Sequence, residues 1–286
     1  MKQTWLVTGG TGYLGVHVAA ALGATVAGRR QGLGLFTPAL AEALAHHQVI
    51  VHLAAHVAKA PEAAADCFEV NSDGTRWLCA QLTEQHVLLL ASTKDVYGAH
   101  ADHYPAVPES CPTTLRGQNA YAWSKWLAEE YARFYASQRG FRLCVLRLST
   151  MFAPPTPGNP GGLVSRFADA IRRGQPLTLR WQGRQVRDVL PVTELVRVLR
   201  ACAALSDAHD TFNETFNIGG GPDYAYSLVE LAQRIGRACG RTPVLHLTDV
   251  EPAPDDQRHY VSDLSKAGAR LGWKPDFDVE AVLKWA

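Results

Sequence analysis

Thr4-Trp5-Leu6-Val7-Thr8, followed directly by Gly9-Gly10-Thr11-Gly12-Tyr13-Leu14-Gly15, opens the chain and sets the layout of the remaining residues. The first five residues form a short apolar run, the pattern of a strand buried on both faces of a parallel sheet. Residues 16–22 carry an apolar helical pattern, and 24–27 read as a second strand ending in Gly28-Arg29-Arg30. Strand, glycine turn, helix and strand make a βαβ unit of the kind that binds a dinucleotide. Gly9 permits the tight turn, Gly12 lets the backbone approach a pyrophosphate, and Gly15 lets the helix pack on the strand. Free N–H groups around Tyr13 and Leu14 would then face the phosphates with the positive end of the helix dipole.

The end of the second strand bears on which dinucleotide is held. A free ribose 2′-hydroxyl usually meets an Asp or Glu there, whereas a 2′-phosphate meets Arg. Here Arg29 and Arg30 stand at that point, with no carboxylate until Glu42. Guanidinium groups match phosphate oxygens in charge and in fork geometry, so NADP(H) is expected, with NAD(H) the alternative. Two solvated surface arginines would be the plainer reading.

A chain of 286 residues with 47% apolar and 19% charged residues can fill one large α/β unit or a Rossmann core with a smaller lobe. The net charge of +1 offers no argument for nucleic acid or acidic membranes as partners. No apolar run reaches transmembrane length, and the chain enters its first strand without a secretory signal, so a cytoplasmic protein is expected. The 6 cysteines are scattered without a Cys-x-x-Cys pair and read as small core residues. His100 and His103 around Asp102 are the best metal candidate, but further ligands at useful spacing are missing, and no metal is expected.

Further along, 38–46 reads as a short helix and 48–53 as a strand ending in Leu53-Ala54-Ala55, small residues that leave room for a cofactor. A further strand usually lies before this one, and the brief connection suggests that it is missing or abbreviated. The helical region 67–85 contains Asn71, either a buried brace for the active-site backbone or an exposed polar position. The strand 87–91 runs into Ser92-Thr93-Lys94-Asp95, and a helix at 120–138 carries Tyr121-Ala122-Trp123-Ser124-Lys125 near its start. Prolines and glycines at 153–162 give the strongest boundary signal. The expected fold class is α/β, a doubly wound parallel sheet with a smaller C-terminal α/β substrate lobe. Residues 1–152 and about 186–217 are assigned to the Rossmann domain, 153–185 and 218–286 to the lobe.

Tyr121 and Lys125 are four apart on one helix and share a face. A free tyrosine, with a pKa near 10, is a poor base at neutral pH. An ammonium alongside favours the phenolate and can also bind ribose hydroxyls. Thr93 would donate to a substrate carbonyl or alkoxide, completing an acid–base trio.

The glycine spacing and the Tyr-x-x-x-Lys pair are joined by His52-Leu53-Ala54-Ala55, Val96-Tyr97-Gly98, Arg187-Asp188-Val189, Asn217-Ile218-Gly219-Gly220-Gly221 and Leu271-Gly272-Trp273-Lys274-Pro275. Together they resemble the extended short-chain dehydrogenases/reductases of the NAD-dependent epimerase/dehydratase family, in order and over nearly the full length. The resemblance implies hydride transfer on a nucleotide-diphosphate sugar and a homodimer formed by the helices at 67–85 and 120–138. It places the substrate near Thr150, Leu163, Arg187 and Arg258, the two arginines pairing with its diphosphate unless they are structural ion pairs. Thr150 stands where relatives carry an Asn, which leaves the usual phosphate contact open. Asp95 takes a glutamate's place and could be an auxiliary base or the partner of Lys94, while Lys94 replaces the acid used by dehydratases. The expected activity is NADP(H)-dependent reduction of a keto group on a (deoxy)sugar nucleotide; the alternative is a 4-epimerase or dehydratase without net redox change. A non-catalytic NADP(H) sensor would not need the Tyr121, Lys125 and Thr93 trio.

Overall fold

The computed structural model describes residues 3–114, 117–156, 159, 161–207 and 212–285. The expected βαβ opening forms from β1 (Trp5–Thr8), α1 (Gly15–Leu22) and β2 (Thr25–Ala27). Helix α2 (Pro38–Ala45) starts on the Thr37 side chain, which accepts from the Leu40 N–H, with Pro at its first position. It leads to β3 (Val49–His52), and β4 (Val87–Thr93) and β5 (Arg142–Leu148) follow.

The returning β9 (Asn213–Ile218) closes a six-stranded sheet with the order β2-β1-β3-β4-β5-β9 and parallel pairing throughout. No strand lies between β2 and β3 among the described residues. The reason is length: the connection holds one short helix, and a further parallel strand would need another crossover.

Side chains alternate strictly across the sheet. Val7, Val51, Leu89 and Cys144 face α1 and α7 (Val192–Asp207), whereas Leu6, Ile50, Leu88 and Val145 face α2 and α5 (Ala120–Arg139). Each such side chain is fully buried, worth roughly 1.5–3 kcal/mol apiece relative to exposure. Between β3 and β4 the helical region is α3 (Ala64–Cys67), a π-helical turn (Phe68–Asp73) and α4 (Gly74–Cys79).

The lobe has its own sheet. β6 (Thr150–Phe152), β10 (Ala225–Ser227) and β12 (His259–Tyr260) all pair with β8 (Val186–Pro191), while β7 (Leu177–Leu179) pairs with β11 (Leu245–Leu247). Its core lies between α6 (Leu163–Arg172) and α8 (Leu228–Cys239), around Phe167, Ile171, Leu231 and Ile235. The segment 186–217, read from sequence as one part of the nucleotide domain, is therefore divided. Its first strand belongs to the lobe sheet, because Arg187 and Val189 register with β10, β12 and β6, while α7 and β9 return to the main sheet. No helix of the described residues is long and apolar enough to cross a membrane.

Candidate active site

Chain order reverses at β1, with β2 on one side and β3 on the other, so a crevice opens beyond the carboxyl ends of these strands. The glycine turn forms its floor. Gly9 adopts φ +67°, and a Cβ there would stand 2.6 Å from the Ala54 nitrogen. A Cβ on Gly15 would stand 2.0 Å from the Gly9 carbonyl oxygen, so only glycine lets α1 begin this close to the turn. Helix α1 begins without a side-chain cap, a start that suits a ligand, with the Val16 N–H already met by the Gly12 carbonyl.

Above the turn lies a cleft of about 500 Å³ reaching from Gly9, Gly12, Tyr13, Leu14 and Gly15 past Leu53 and Ala55 to Thr93, Tyr121 and Lys125. Ser149, Met151, Asn159, Gly161, Gly162 and Arg166 close it from the lobe side. A close-packed glycine turn, an uncapped helix start and small residues at the end of β3 fit a dinucleotide.

Tyr13 does more than line this floor. Its hydroxyl donates to the Ala153 carbonyl at 2.9 Å, accepts from the Ala153 N–H at 2.7 Å and meets Ser165 Oγ at 2.7 Å. It thereby fastens the glycine turn to the lobe.

Tyr121 and Lys125 stand at the amino-terminal end of α5, whose start is capped by Asn119 accepting from the Ala122 N–H. Both face the cleft, and the Thr93 hydroxyl hydrogen-bonds with the phenol. The structure corrects the electrostatic expectation. Burial, and next the Asp95 carboxylate, push the phenol above the ordinary tyrosine range in the cofactor-free chain, and the Thr93 hydrogen bond is what opposes them. Lys125 is itself lowered to about 8 by burial, with Glu129 pulling the other way.

Asn71 is fully buried in the π-helical turn and is a brace rather than a lining residue. Its Oδ1 accepts from the His56 N–H at 2.8 Å, and its Nδ2 donates to the His56 carbonyl and to Ser124 Oγ, each at 2.9 Å. Ser124 in turn donates to the Tyr121 carbonyl at 2.9 Å, so the loop after β3 is tied to the first turn of α5.

His52 extends the brace, with Nδ1 2.6 Å from Thr8 Oγ1 and Nε2 3.0 Å from Thr75 Oγ1. Burial and the nearby Lys125 charge lower its pKa from 6.5 to about 3. The unfolded chain therefore takes up a proton near 6.5 that the folded chain refuses until about 3, and stability falls as pH drops through that window. Urea unfolding at about pH 7 and about pH 5 should show this loss, and His52→Gln should shrink it. An unaltered pH dependence in the variant would refute the assignment.

Several expected site residues lie elsewhere. Asp95 is held by Lys94 at 2.7 Å and Lys59 at 2.8 Å. Burial raises its pKa, but the two ammonium groups outweigh this and keep the carboxyl well below the usual range, so it is an ion-pair partner and not a free base. Arg187 pairs with Asp256 at 2.7 Å and donates to the Gln257 and Val186 carbonyls. Arg258 pairs with Glu251 at 2.8 Å on the surface.

Thr150 and Leu163 do not line the cleft either. Strand alternation turns Ser149 and Met151 toward it instead, and Leu163 packs on the lobe core. Ala54 backs the glycine turn. Arg29 and Arg30 are exposed just beyond β2 and make no ion pair among the described residues. Asp102 accepts from the Arg258 and His259 N–H groups, fastening β12. The linker positions 157, 158 and 160 lie outside the described residues.

Arg166 was not legible as a site residue. It sits four residues after Gly162, lines the cleft from the first turn of α6, is exposed, and makes no ion pair among the described residues. The glycine pair before a helix was the available signal, since that pattern leaves the helix start open to a ligand.

Comparison with known proteins agrees with this geometry. The model of the NAD dependent epimerase/dehydratase family matches residues 5–219. The chain belongs to the NAD-dependent epimerase/dehydratase family. That family is of the extended short-chain dehydrogenase/reductase type.

Among relatives of this family member, UDP-glucuronic acid decarboxylase 3 of Arabidopsis thaliana is 32% identical over 193 residues. The match covers 66% of this chain and 53% of the plant protein, so the chain spans about half that relative's length. UDP-glucose 4-epimerase of Thermotoga maritima, solved with UDP-glucose, is 25% identical with a TM-score of 0.80, covering 99% of this chain and 96% of that one. MoeE5, solved with UDP-glucuronic acid and NAD, shares the fold with a TM-score of 0.83 at 24% identity, over 99% of this chain and 98% of that one.

Proposed function

We propose that the chain is a sugar-nucleotide 4-epimerase that uses a pyridine dinucleotide without net redox change. One observation carries this reading: among the described residues, the side chains lining the cleft include Tyr121, Thr93 and Lys125 but no carboxylate. Elimination of water calls for further acids beside the tyrosine, and Asp95 is committed to two lysines. Removing and returning hydrogen at one carbon needs only one acid–base group.

Tyr121 would exchange the proton of the reacting oxygen while Thr93 orients that oxygen. Lys125 would hold ribose hydroxyls, and the Gly9–Gly15 turn would take the cofactor pyrophosphate. The bound nicotinamide would supply the hydride acceptor and donor. Arg166 is the cleft cation free to meet the substrate diphosphate, in the role that Arg187 and Arg258 cannot take from their ion pairs. The likeness to a UDP-glucose 4-epimerase over 99% of the chain supports the same reading.

Incubation with a UDP-hexose and cofactor should interconvert the C4 epimers with nicotinamide absorbance constant at steady state. Stoichiometric consumption of NADPH would overturn this in favour of a keto-reductase.

That second reading has an observation of its own, the exposed and unpaired Arg29 and Arg30 at the end of β2, which suit a 2′-phosphate. On it, NADPH should bind more tightly than NADH, and Arg29→Ala with Arg30→Ala should weaken NADPH about tenfold or more while leaving NADH alone. Titration showing equal affinities in the unmodified protein would remove the argument.

We also infer a homodimer through α5 and the α3–α4 region, because Trp123 and Phe134 on α5 are 39% and 59% exposed. Sedimentation velocity tests it, and a purely monomeric species would rule it out.

A further inference from the structure

Most polar side chains lining the cleft among the described residues already have a task. Tyr121, Thr93 and Lys125 form the trio, and Arg166 faces the substrate diphosphate. Tyr13 is fastened to Ala153 and Ser165, Ser92 donates to Glu129, and the Asn159 amide donates to the Thr11 carbonyl. Ser149 is left. Leu148 at the end of β5 registers with Thr93 on β4, so half-buried Ser149 follows one residue beyond, beside the trio.

The wall behind Ser149 fixes its chemistry. Its hydroxyl meets Asp188 Oδ1 and, at 3.1 Å, the Asp188 carbonyl. A carboxylate and a carbonyl only accept, so the single hydroxyl hydrogen is spent on the wall and only lone pairs remain for the cleft. Asp188 is fully buried, and its Oδ2 accepts from the Gly221 and Ser262 N–H groups, each at 3.0 Å. Its neighbour Arg187 turns to the other face of β8 and pairs with Asp256, leaving the carboxylate to these neutral donors. A Cβ on Gly219 would overlap Asp188 Oδ2, so glycine there is what lets the 217–221 turn close on it.

A group that only accepts selects a ligand group that only donates. Sugar hydroxyls do both, and gain little selection from it. Hydride transfer requires C4 of the nicotinamide beside the carbon that Tyr121 and Thr93 serve, and the adjacent C3 carries a carboxamide whose NH2 only donates. We propose that Ser149 is a specificity-determining residue that accepts from the nicotinamide carboxamide, with Asp188 the positioning residue that holds its hydrogen away from the cleft. This rests on the pyridine-dinucleotide reading above.

Calorimetric titration of the cofactor-free chain with NAD and NADP, each beside its 3-acetylpyridine analogue in which CH3 replaces the NH2, tests it. The carboxamide form should bind about fivefold or more tightly, because the analogue leaves the Ser149 lone pair facing a methyl group. Ser149→Ala should weaken the carboxamide form alone and bring the two within about twofold. Asp188→Asn should narrow the preference as well. The two N–H groups at Oδ2 demand the amide oxygen there, which turns the amide NH2 onto a Ser149 lone pair. A merely structural role would weaken both dinucleotides alike. Equal affinities in the unmodified protein, or a preference that survives Ser149→Ala, overturn the proposal while leaving the epimerase reading standing. A full preference in Asp188→Asn removes Asp188 from it. If no dinucleotide binds, the pyridine-dinucleotide reading fails and this proposal with it. The unmodified protein and Ser149→Ala decide even if the Asp188 variant fails to fold.

Discussion

Tyr121→Phe should lower turnover by roughly 10²–10⁴-fold with little change in cofactor affinity. The substitution removes one oxygen from a ring whose surroundings are otherwise preserved. Asn71 and Ser124 position this turn of α5 through backbone groups, the Tyr121 carbonyl among them, so the helix keeps its place without the hydroxyl. What disappears is the proton exchanged with the reacting oxygen and the hydrogen bond with Thr93. Burial and Asp95 favour the protonated phenol in the cofactor-free chain, the form that returns the proton in the second half of the proposed cycle. Steady-state kinetics with a parallel titration of dinucleotide check the prediction. Turnover within a few-fold of the unmodified enzyme would remove Tyr121 from the chemistry.

The largest stability effect is expected two turns further along α5. Glu129 is completely buried and faces Arg147 at 2.7 Å, Arg133 at 2.8 Å and the Ser92 hydroxyl at 2.5 Å. Burial alone would raise its pKa, but the two guanidinium groups, Arg147 foremost, and the Ser92 hydrogen bond hold it below the ordinary glutamate value. Arg147 also donates to the Tyr97 hydroxyl at 3.0 Å, and Tyr97 donates to Asn217 at 2.7 Å, so the network crosses from α5 through β5 to β9.

Glu129→Ala strands the Arg147 charge in a site where only 5% of that residue is exposed. The expected cost is about 3–5 kcal/mol in chemical unfolding. Glu129→Leu combined with Arg147→Met should recover much of it, because removing both charges leaves neither unpaired. A loss below about 1 kcal/mol in the single variant would show that solvent reaches the site and that the pair is not a buried one.

Much of the architecture was legible before any coordinates. Unbroken apolar runs at β1, β3, β4 and β5 announce strands covered on both faces, and their side chains do divide between the two helical layers. The Gly9, Gly12 and Gly15 spacing announces the turn, because its conformation and close packing exclude a Cβ locally. Tyr121 and Lys125 are legible as a pair for a similar reason, since helical periodicity alone puts them on one face.

Pairing across the chain was not legible. Arg187 and Arg258 looked like phosphate ligands because a charge in sequence carries no record of its partner, and Asp256 and Glu251 claim them. Asp95 looked available until the loop after β3 brought Lys59 to it. Asn71 could have been surface or brace until the π-helical turn buried it against His56 and Ser124.

By itself, then, the sequence determined what depends on near neighbours: strand burial, the glycine turn, the helical pair and the family. Tertiary structure alone decided which charges are spent and which remain free, the identity of Arg166 as an open cation, and the raised proton affinity of Tyr121. These depend on desolvation and on ion pairs between residues far apart in the chain, and both arise only when the layers close.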